Sequence, residues 1–403
     1  MTITTKEEFY TLLKGATFLA SGGGGPFGLA KTIVDEYFKN VDTFVIDIVD
    51  LETVNPDQWT AIAAGMAQPS AGILLTPQTI VEPTVNAVKA MEKLLSVGMT
   101  KKNDTRFDGF QRFDFLTPIE VGAINVTIPL ISAYLLGNNL SIVDGDPSGR
   151  SVPTIDLTTF AVSQPVMPNM ATSAGEDYEY SVLSLKNYKD LGIAYAKLIQ
   201  AGLIGIDTGL CLAPMTAQTL SQNNIVTGTL RDAYNIGLIF EQNISAAQRL
   251  ESIQAYLLSE AQTPRELKTI CTGVAKEYYT KTEEDNDLGY LTIETDDGRG
   301  IYTILIQNEN MLGQFNDEIS INITSPDSIC YVSTQDGILD DSDIYDNTLI
   351  SQKLQNGEEV HISVVAIEAA SVIKENKQLM SAWNEAYKTS RYYGTYNESI
   401  WTE

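Results

Sequence analysis

A single histidine, His361, stands in a chain of 403 residues. That scarcity removes whole classes of chemistry. A zinc centre built on several histidines is excluded, and a Ser-His-Asp triad would have to use His361 as its base. His361 sits inside the alternating run Glu359–Val365, where a structural place on a strand accounts for it. Cysteine is nearly as rare. Cys211, Cys271 and Cys330 are scattered, odd in number and without C-x-x-C spacing, as reduced thiols in a reducing compartment are. Cys211 lies between Leu210 and Leu212, which predicts a buried, inert thiol. Basic residues are also few: 26 Lys and Arg stand against 52 Asp and Glu, a net charge of −26. Such a surface repels nucleic acid and anionic membranes alike. No apolar run reaches membrane-spanning length, and Met1–Tyr10 is too polar for a secretory leader. The expectation is a cytoplasmic protein whose partner is a small molecule, not a nucleic acid or a membrane.

What is present fills a core. The apolar fraction of 43% is ordinary for a globular chain, and the length suits two domains. Acid is unevenly placed, with sixteen Asp and Glu between Glu283 and Asp346 against the lone Arg299. A solvated face explains most of it. No cofactor motif is complete, and the metal chemistry left open is a divalent cation on oxygen ligands.

Residues 1–166 alternate helical and strand-like segments, the pattern of an α/β domain. Helical spacing runs from Lys6 to Ala20 and again through Glu82–Val97. Thr43–Val49, Thr60–Ala64, Asp114–Gly122 and Leu140–Val143 read as strands, and Asn125 reads as the cap of a helix that follows. Val162–Glu179 resembles an interdomain connection. Residues 167–403 are expected to form a mostly β domain, barrel- or sandwich-like, with accessory helices near Leu183–Leu203, Leu230–Ile239 and Ala246–Leu258. Short alternating strands (Gly289–Glu294, Ile301–Ile306, Glu318–Ile323, Ile329–Val332, Glu359–Val365) with glycine turns between them carry that expectation. Ala213–Thr216 reads as a polar break before a helix. The tail closes in an aromatic cluster, Trp383, Tyr387, Tyr392, Tyr393, Tyr396 and Trp401, predicted to pack back onto a domain.

Three loops hold candidate chemistry. The first is Ser21-Gly-Gly-Gly-Gly-Pro-Phe-Gly28. Ordering four glycines is costly, so Gly22, Gly23, Gly24 and Gly25 imply positive φ or a very close approach. The literal G-x-G-x-x-G from Gly23 follows a helical segment, not a strand, which argues against a dinucleotide turn. Two readings remain: a loop that meets an anionic or carbonyl group at the next helix N-terminus, or a tight packing turn. The second loop is Val143-Asp-Gly-Asp-Pro-Ser-Gly-Arg150, just past a predicted strand, where α/β proteins place ligands. Asp144 and Asp146 could hold a metal, polarise water or orient a ring N–H, and Arg150 could bind an anion. A surface turn with a local ion pair is the plain alternative. Glu120, flanked by Ile119 and Val121, fits a half-buried general base or a salt-bridged structural acid, and Asn125 a cap or a substrate contact. The third is Gln307-Asn-Glu-Asn310, where Asn308 and Glu309 end an apolar strand and either face a ligand or build a sharp turn.

Taken in order, the glycine loop, Glu120-Val-Gly-Ala-Ile-Asn125 and Asp144-Gly-Asp-Pro-Ser-Gly-Arg150 resemble the S-methyl-thiohydantoin desulfurase-like family, which is associated with hydantoinase and oxoprolinase genes. Pro214-Met-Thr216, Gly228-Thr229 with Gly237, Gln307–Asn310, Ser325–Ile329 and Arg391-Tyr-Tyr-Gly394 extend the resemblance over almost the whole chain. The pattern departs where Ser151 follows Arg150 and Thr154 follows Pro153. The resemblance implies an α/β domain followed by a mostly β domain. It also implies hydrolytic removal of a methylthio group from a five-membered ring, giving a hydantoin. In that reading Asp144 or Glu120 activates water, Asp146 and Arg150 position the substrate or complete an oxygen-rich metal site, and backbone N–H groups of Gly23–Gly25 stabilise negative charge. Rival readings are a metabolite-binding regulator and a subunit of a hydantoinase-type complex; as partners, a second copy of the chain (a homo-oligomer) or a hydantoinase-type chain stays open.

Overall fold

The computed structural model describes residues 1–66, 77–97, 107–137, 139–162, 170–174, 180–185, 187–203, 208–222, 225–283, 286–316 and 321–402. An N-terminal α/β unit is followed by a mostly antiparallel sheet, curled into a half-barrel and flanked by helices.

Four strands form the parallel heart of the first sheet: Ile46–Val49, Ser141–Val143, Phe115–Pro118 and Trp59–Met66. Most of their residues are apolar and buried, with Asp47 the exposed exception on the strand nearest the sheet edge. On one face lie Lys6–Leu19, Phe27–Tyr37, Pro77–Ser96 and Ala123–Leu136. Thr5 and Glu8 start the first of these with a capping box, Glu8 N donating to Thr5 Oγ1 at 3.2 Å. Ala123–Leu136 is apolar almost all round and is buried accordingly. Its start differs from expectation: Gly122, in extended backbone, is the cap, and Asn125 sits inside the first turn with its amide turned to Glu120.

The sheet then continues antiparallel through Thr208–Thr216, Met170–Ala174 and Tyr180–Ser184, so it draws in strands from beyond residue 166. Thr208–Thr216 contains Pro214, which has no N–H for the ladder. A bulge there, with Ala213 at φ 48, lets it pass. The stretch expected to be a break is thus a strand. Likewise Met170–Ala174, expected within a connection, is paired in the sheet; much of the rest of that connection lies outside the described residues, as do positions 318–320 of the strand expected at Glu318–Ile323.

The second sheet runs, in spatial order, Ile323–Thr324, Glu309–Phe315, Ile301–Gln307, Asn286–Thr295, Leu267–Glu283, Val360–Ile367 and Ser328–Ser333. All its neighbours are antiparallel. It curls so that the strand Glu309–Phe315 comes up to Ser328–Ser333, and Asn310 Nδ2 donates to Ile329 O at 2.8 Å. Of the aromatic tail, Trp383 and Tyr387 are fully buried, whereas Tyr393 is 79% exposed. Trp401 and Tyr396 return to Asp327, whose carboxylate accepts from Trp401 Nε1 at 2.7 Å and from Tyr396 Oη at 2.9 Å. No described helix is long and apolar enough to cross a membrane.

Candidate functional site

The glycine loop joins helix Lys6–Leu19 to helix Phe27–Tyr37 and wedges between the two sheets. The C-terminal domain pins it: Asn310 N donates to Ser21 O at 2.9 Å and Asn347 N to Gly22 O at 3.0 Å. Gly22, Gly24 and Gly25 take φ values of 80°, 72° and 82°. A Cβ on Gly24 would lie 2.6 Å from Gly122 Cα, and one on Gly25 2.3 Å from Ile124 Cγ1. These glycines therefore let the loop seat on the start of helix Ala123–Leu136, where Ile124 N donates to Gly24 O at 2.9 Å. The N-terminus of the next helix already has its anion. Phe27 N donates to Asp346 Oδ2 at 3.1 Å, while Asp346 Oδ1 accepts from Leu349 N at 2.7 Å. One buried carboxylate caps two helices.

Gly23 is different, because what it faces is a carboxyl group. A Cβ there would lie 2.6 Å from Glu309 Oε1 and 2.5 Å from Glu309 Cγ. Glu309 opens the strand after Asn308, which holds φ 59°. Asn308 secures that bend: its Oδ1 accepts from Asp287 N at 2.8 Å and its Nδ2 donates to Pro153 O at 3.3 Å. Glu309 points inward and is 6% exposed, yet its Oε2 accepts no hydrogen bond from a described residue. Near it lies Glu120, 8% exposed. Glu120 Oε2 accepts from Val152 N at 2.7 Å, and its Oε1 from Asn125 Nδ2. Burial drives the Glu120 pKa well above the usual carboxylate range, and repulsion from Glu309 adds to it; the Val152 N–H and Arg150 only partly oppose. Burial raises Glu309 in the same direction, against the field of Arg150. Two carboxyl groups so coupled share a proton more readily than they ionise together.

Arg150 is buried and wired into the protein. Nε donates to Ser151 O at 2.8 Å, Nη1 to Ser325 Oγ and Asp327 O at 2.7 Å each, and Nη2 to Asn310 O at 2.8 Å. Its charge reaches Glu120 and Glu309 through space, not through a hydrogen bond. Asp146 shapes the loop that delivers it, its Oδ1 accepting from Ser148 N at 2.9 Å and Gly149 N at 2.7 Å. Asp144 turns elsewhere. Its Oδ1 accepts from Leu230 N and Arg231 N at 3.1 Å each, capping helix Thr229–Phe240. Burial raises both aspartates' pKa values.

The structure therefore brings together Glu120, Glu309, Arg150, Asn125 and Gly23, with Asp146 close enough to raise Glu120. It sets Gly22, Gly24, Gly25 and Asn308 in supporting positions and Asp144 at a helix start. Sequence reasoning missed Asp346, although an Asp directly before a helical segment is an N-cap signal. It missed Tyr331 too, whose hydroxyl lies 3.0 Å from Asn310 Oδ1 and 2.9 Å from Asn347 Oδ1; nothing in its apolar strand marks it. Cys211 is buried with its thiol pKa pushed well up, and His361 is an exposed strand residue beside Glu359. Among the described residues, no three or more His, Cys, Asp or Glu side chains are grouped to hold a metal ion.

Two family models match the chain, one described as "S-Me-THD-like, N-terminal domain" over residues 7–183 and one as "S-Me-THD-like, C-terminal domain" over residues 196–385. No curated protein matches it significantly. Among solved structures, the crystal structure of a protein from Chromobacterium violaceum superposes with a TM-score of 0.76 at 20% identity, covering 98% of this chain and 99% of that one. At that identity the likeness is one of fold.

Proposed function

Because the chain belongs to the S-methyl-thiohydantoin desulfurase-like family, whose two domain models span nearly all of it, we propose that it hydrolyses a small hydantoin-like ring with water activated by a carboxylate of the Glu120–Glu309 pair. The observation that carries this reading is the Glu309 Oε2 atom, buried beside a second buried glutamate and bonded to no described residue.

The chemistry needs a base and an acid. The ionised member of the pair takes a proton from water as its oxygen bonds to the ring carbon bearing sulfur. Attack opens the C=N bond onto the ring nitrogen; the C–S bond then breaks, the protonated member supplies the proton with which methanethiol leaves, and the hydroxyl proton passes to that nitrogen as the carbon becomes the hydantoin carbonyl. Raised carboxyl pKa values suit both roles near neutral pH. Arg150 lowers the pKa of both carboxyl groups against the effect of burial, and Asn125 fixes the orientation of Glu120. Gly23 N is committed to Ala20 O at 3.2 Å, so stabilisation of negative charge on the ring falls to the N–H groups of Gly24 and Gly25. Asp146 serves by holding the loop that positions Arg150, and Asp144 by capping helix Thr229–Phe240.

The test is ultraviolet-monitored turnover of S-methyl-thiohydantoins, hydantoins and 5-oxoproline by the purified protein, with and without chelator. Loss of ring absorbance with release of methanethiol is expected from the first group. Binding of a ring without its consumption would replace the hydrolase by a metabolite sensor.

A further inference from the structure

The Glu120–Glu309 cluster is short of positive charge and of hydrogen-bond donors. Three buried acids, Glu120, Glu309 and Asp146, surround the influence of one base, Arg150. Nε, Nη1 and Nη2 of Arg150 all donate to carbonyl or hydroxyl oxygens, and none donates to a carboxylate among the described residues. Val152 N and Asn125 Nδ2 serve Glu120, and Ser148 and Gly149 serve Oδ1 of Asp146, whose Oδ2 has no described donor. Glu309 Oε2 is left without a described donor. That carboxyl packs directly on Gly23, where a Cβ would lie 2.6 Å from Oε1, and Gly23 and Asn125 are both partly exposed.

We propose that this site takes a planar five-membered cation of the cyclic amidine or guanidine type, whose ring N–H groups pair with the Glu309 carboxylate. The inference rests on reading the Glu120–Glu309 pair as the ligand-facing site. Such a ring supplies in one group the two things the cluster lacks, a positive charge and N–H donors in the plane of a carboxylate. A proton shared by the two glutamates is the alternative source of charge balance, so the cation displaces it. Binding then releases a proton and strengthens as pH rises.

Calorimetric titration of the full chain tests this with two rings of the same shape. 2-Aminoimidazoline is a cyclic guanidine that stays cationic near neutral pH, and 2-imidazolidinone is its uncharged urea counterpart. The cation is expected to bind at least roughly tenfold more tightly than the urea, with proton release read from the dependence of the heat on the buffer. Glu309→Gln is expected to abolish that preference. Equal or weaker binding of the cation by the native chain, or no binding of either ring, overturns the proposal without any variant. An unchanged preference in a folded Glu309→Gln protein overturns it as well. The hydrolase reading fails on a different result, the survival of S-methyl-thiohydantoin in the same preparation.

Discussion

Gly23 and Glu309, from opposite domains, are in such contact that a Cβ on the glycine would lie 2.6 Å from the carboxyl oxygen Oε1. Gly23 is not among the residues with left-handed backbone, so alanine is compatible with its φ and the whole effect falls on the glutamate. Gly23→Ala should displace the carboxyl, lowering turnover by about 100-fold and stability by about 1–3 kcal/mol through overpacking. Turnover and urea denaturation of the variant check both numbers. Native turnover in this variant would place Glu309 away from the reacting atoms.

Arg150 joins the domains through carbonyls that have no other cation. Arg150→Met removes the donors to Ser151 O and Asp327 O, leaving buried acceptors unsatisfied, and the shortest donor to Asn310 O, which keeps only Ser21 Oγ at 3.4 Å and Ser325 Oγ at 3.3 Å. A loss of about 3 kcal/mol or more in chemical denaturation is expected. Arg150→Lys keeps the charge but cannot reproduce the fork, so it should also destabilise, though less. A lysine variant as stable as the native protein would show that charge alone, not directed donors, is what the position requires.

Asp144 distinguishes a cap from a catalyst. Asparagine can still accept from Leu230 N and Arg231 N, whereas alanine cannot. Asp144→Ala should cost about 1–2 kcal/mol, and Asp144→Asn clearly less, with turnover within a few-fold of native. An Asn variant that keeps its stability and loses turnover would return Asp144 to the reacting centre and weaken the assignment of water activation to the glutamate pair.

Local signals were legible and tertiary ones were not. The apolar periodicity from Lys6 to Ala20 was enough to place that helix, and alternating residues marked most strands of the half-barrel. Four consecutive glycines announced close approach, but not that Gly122, Ile124 and Asn310 would do the approaching alongside Glu309. Asn125 looked like a cap because its side chain suits one; Glu120, five residues earlier, claims that amide instead. Asp144 looked catalytic because it ends a strand, and its partners lie 86 and 87 residues further on. Pro214 disguised a strand that a bulge makes possible. For the glycine loop and Asp144 the deciding partner is distant in sequence, and the spacing of residues carries no information about it; for Asn125 the partner is near, but the turn that brings it in range is set by the surrounding fold.

Buried acids make the fold more stable in mild acid. Burial pushes Asp232 and Asp327 up to about 6, from an ordinary value of 3.8, and Glu120, Glu309 and Asp346 move in the same direction. The folded chain therefore binds protons more tightly than the unfolded chain at these positions. Stability falls as pH rises through about 6 and is regained as pH drops toward the unfolded values. Each of the two aspartates contributes on the order of 2–3 kcal/mol to that difference, and relief of repulsion in a chain of net charge −26 adds to it. Melting temperature should rise from pH 8 to pH 5. Below about pH 4 the trend should reverse, because Glu8, held below the usual range by the Thr4 and Thr5 groups it accepts from, then loses its charge. Asp327→Asn should lower the melting temperature throughout, since an amide cannot accept from Trp401 Nε1 as well as from Tyr396 and Ala369. It should also flatten the slope between pH 5 and 7. A native profile that is flat or rises toward pH 8 would mean that these carboxylates are better solvated or better paired in solution than their burial implies.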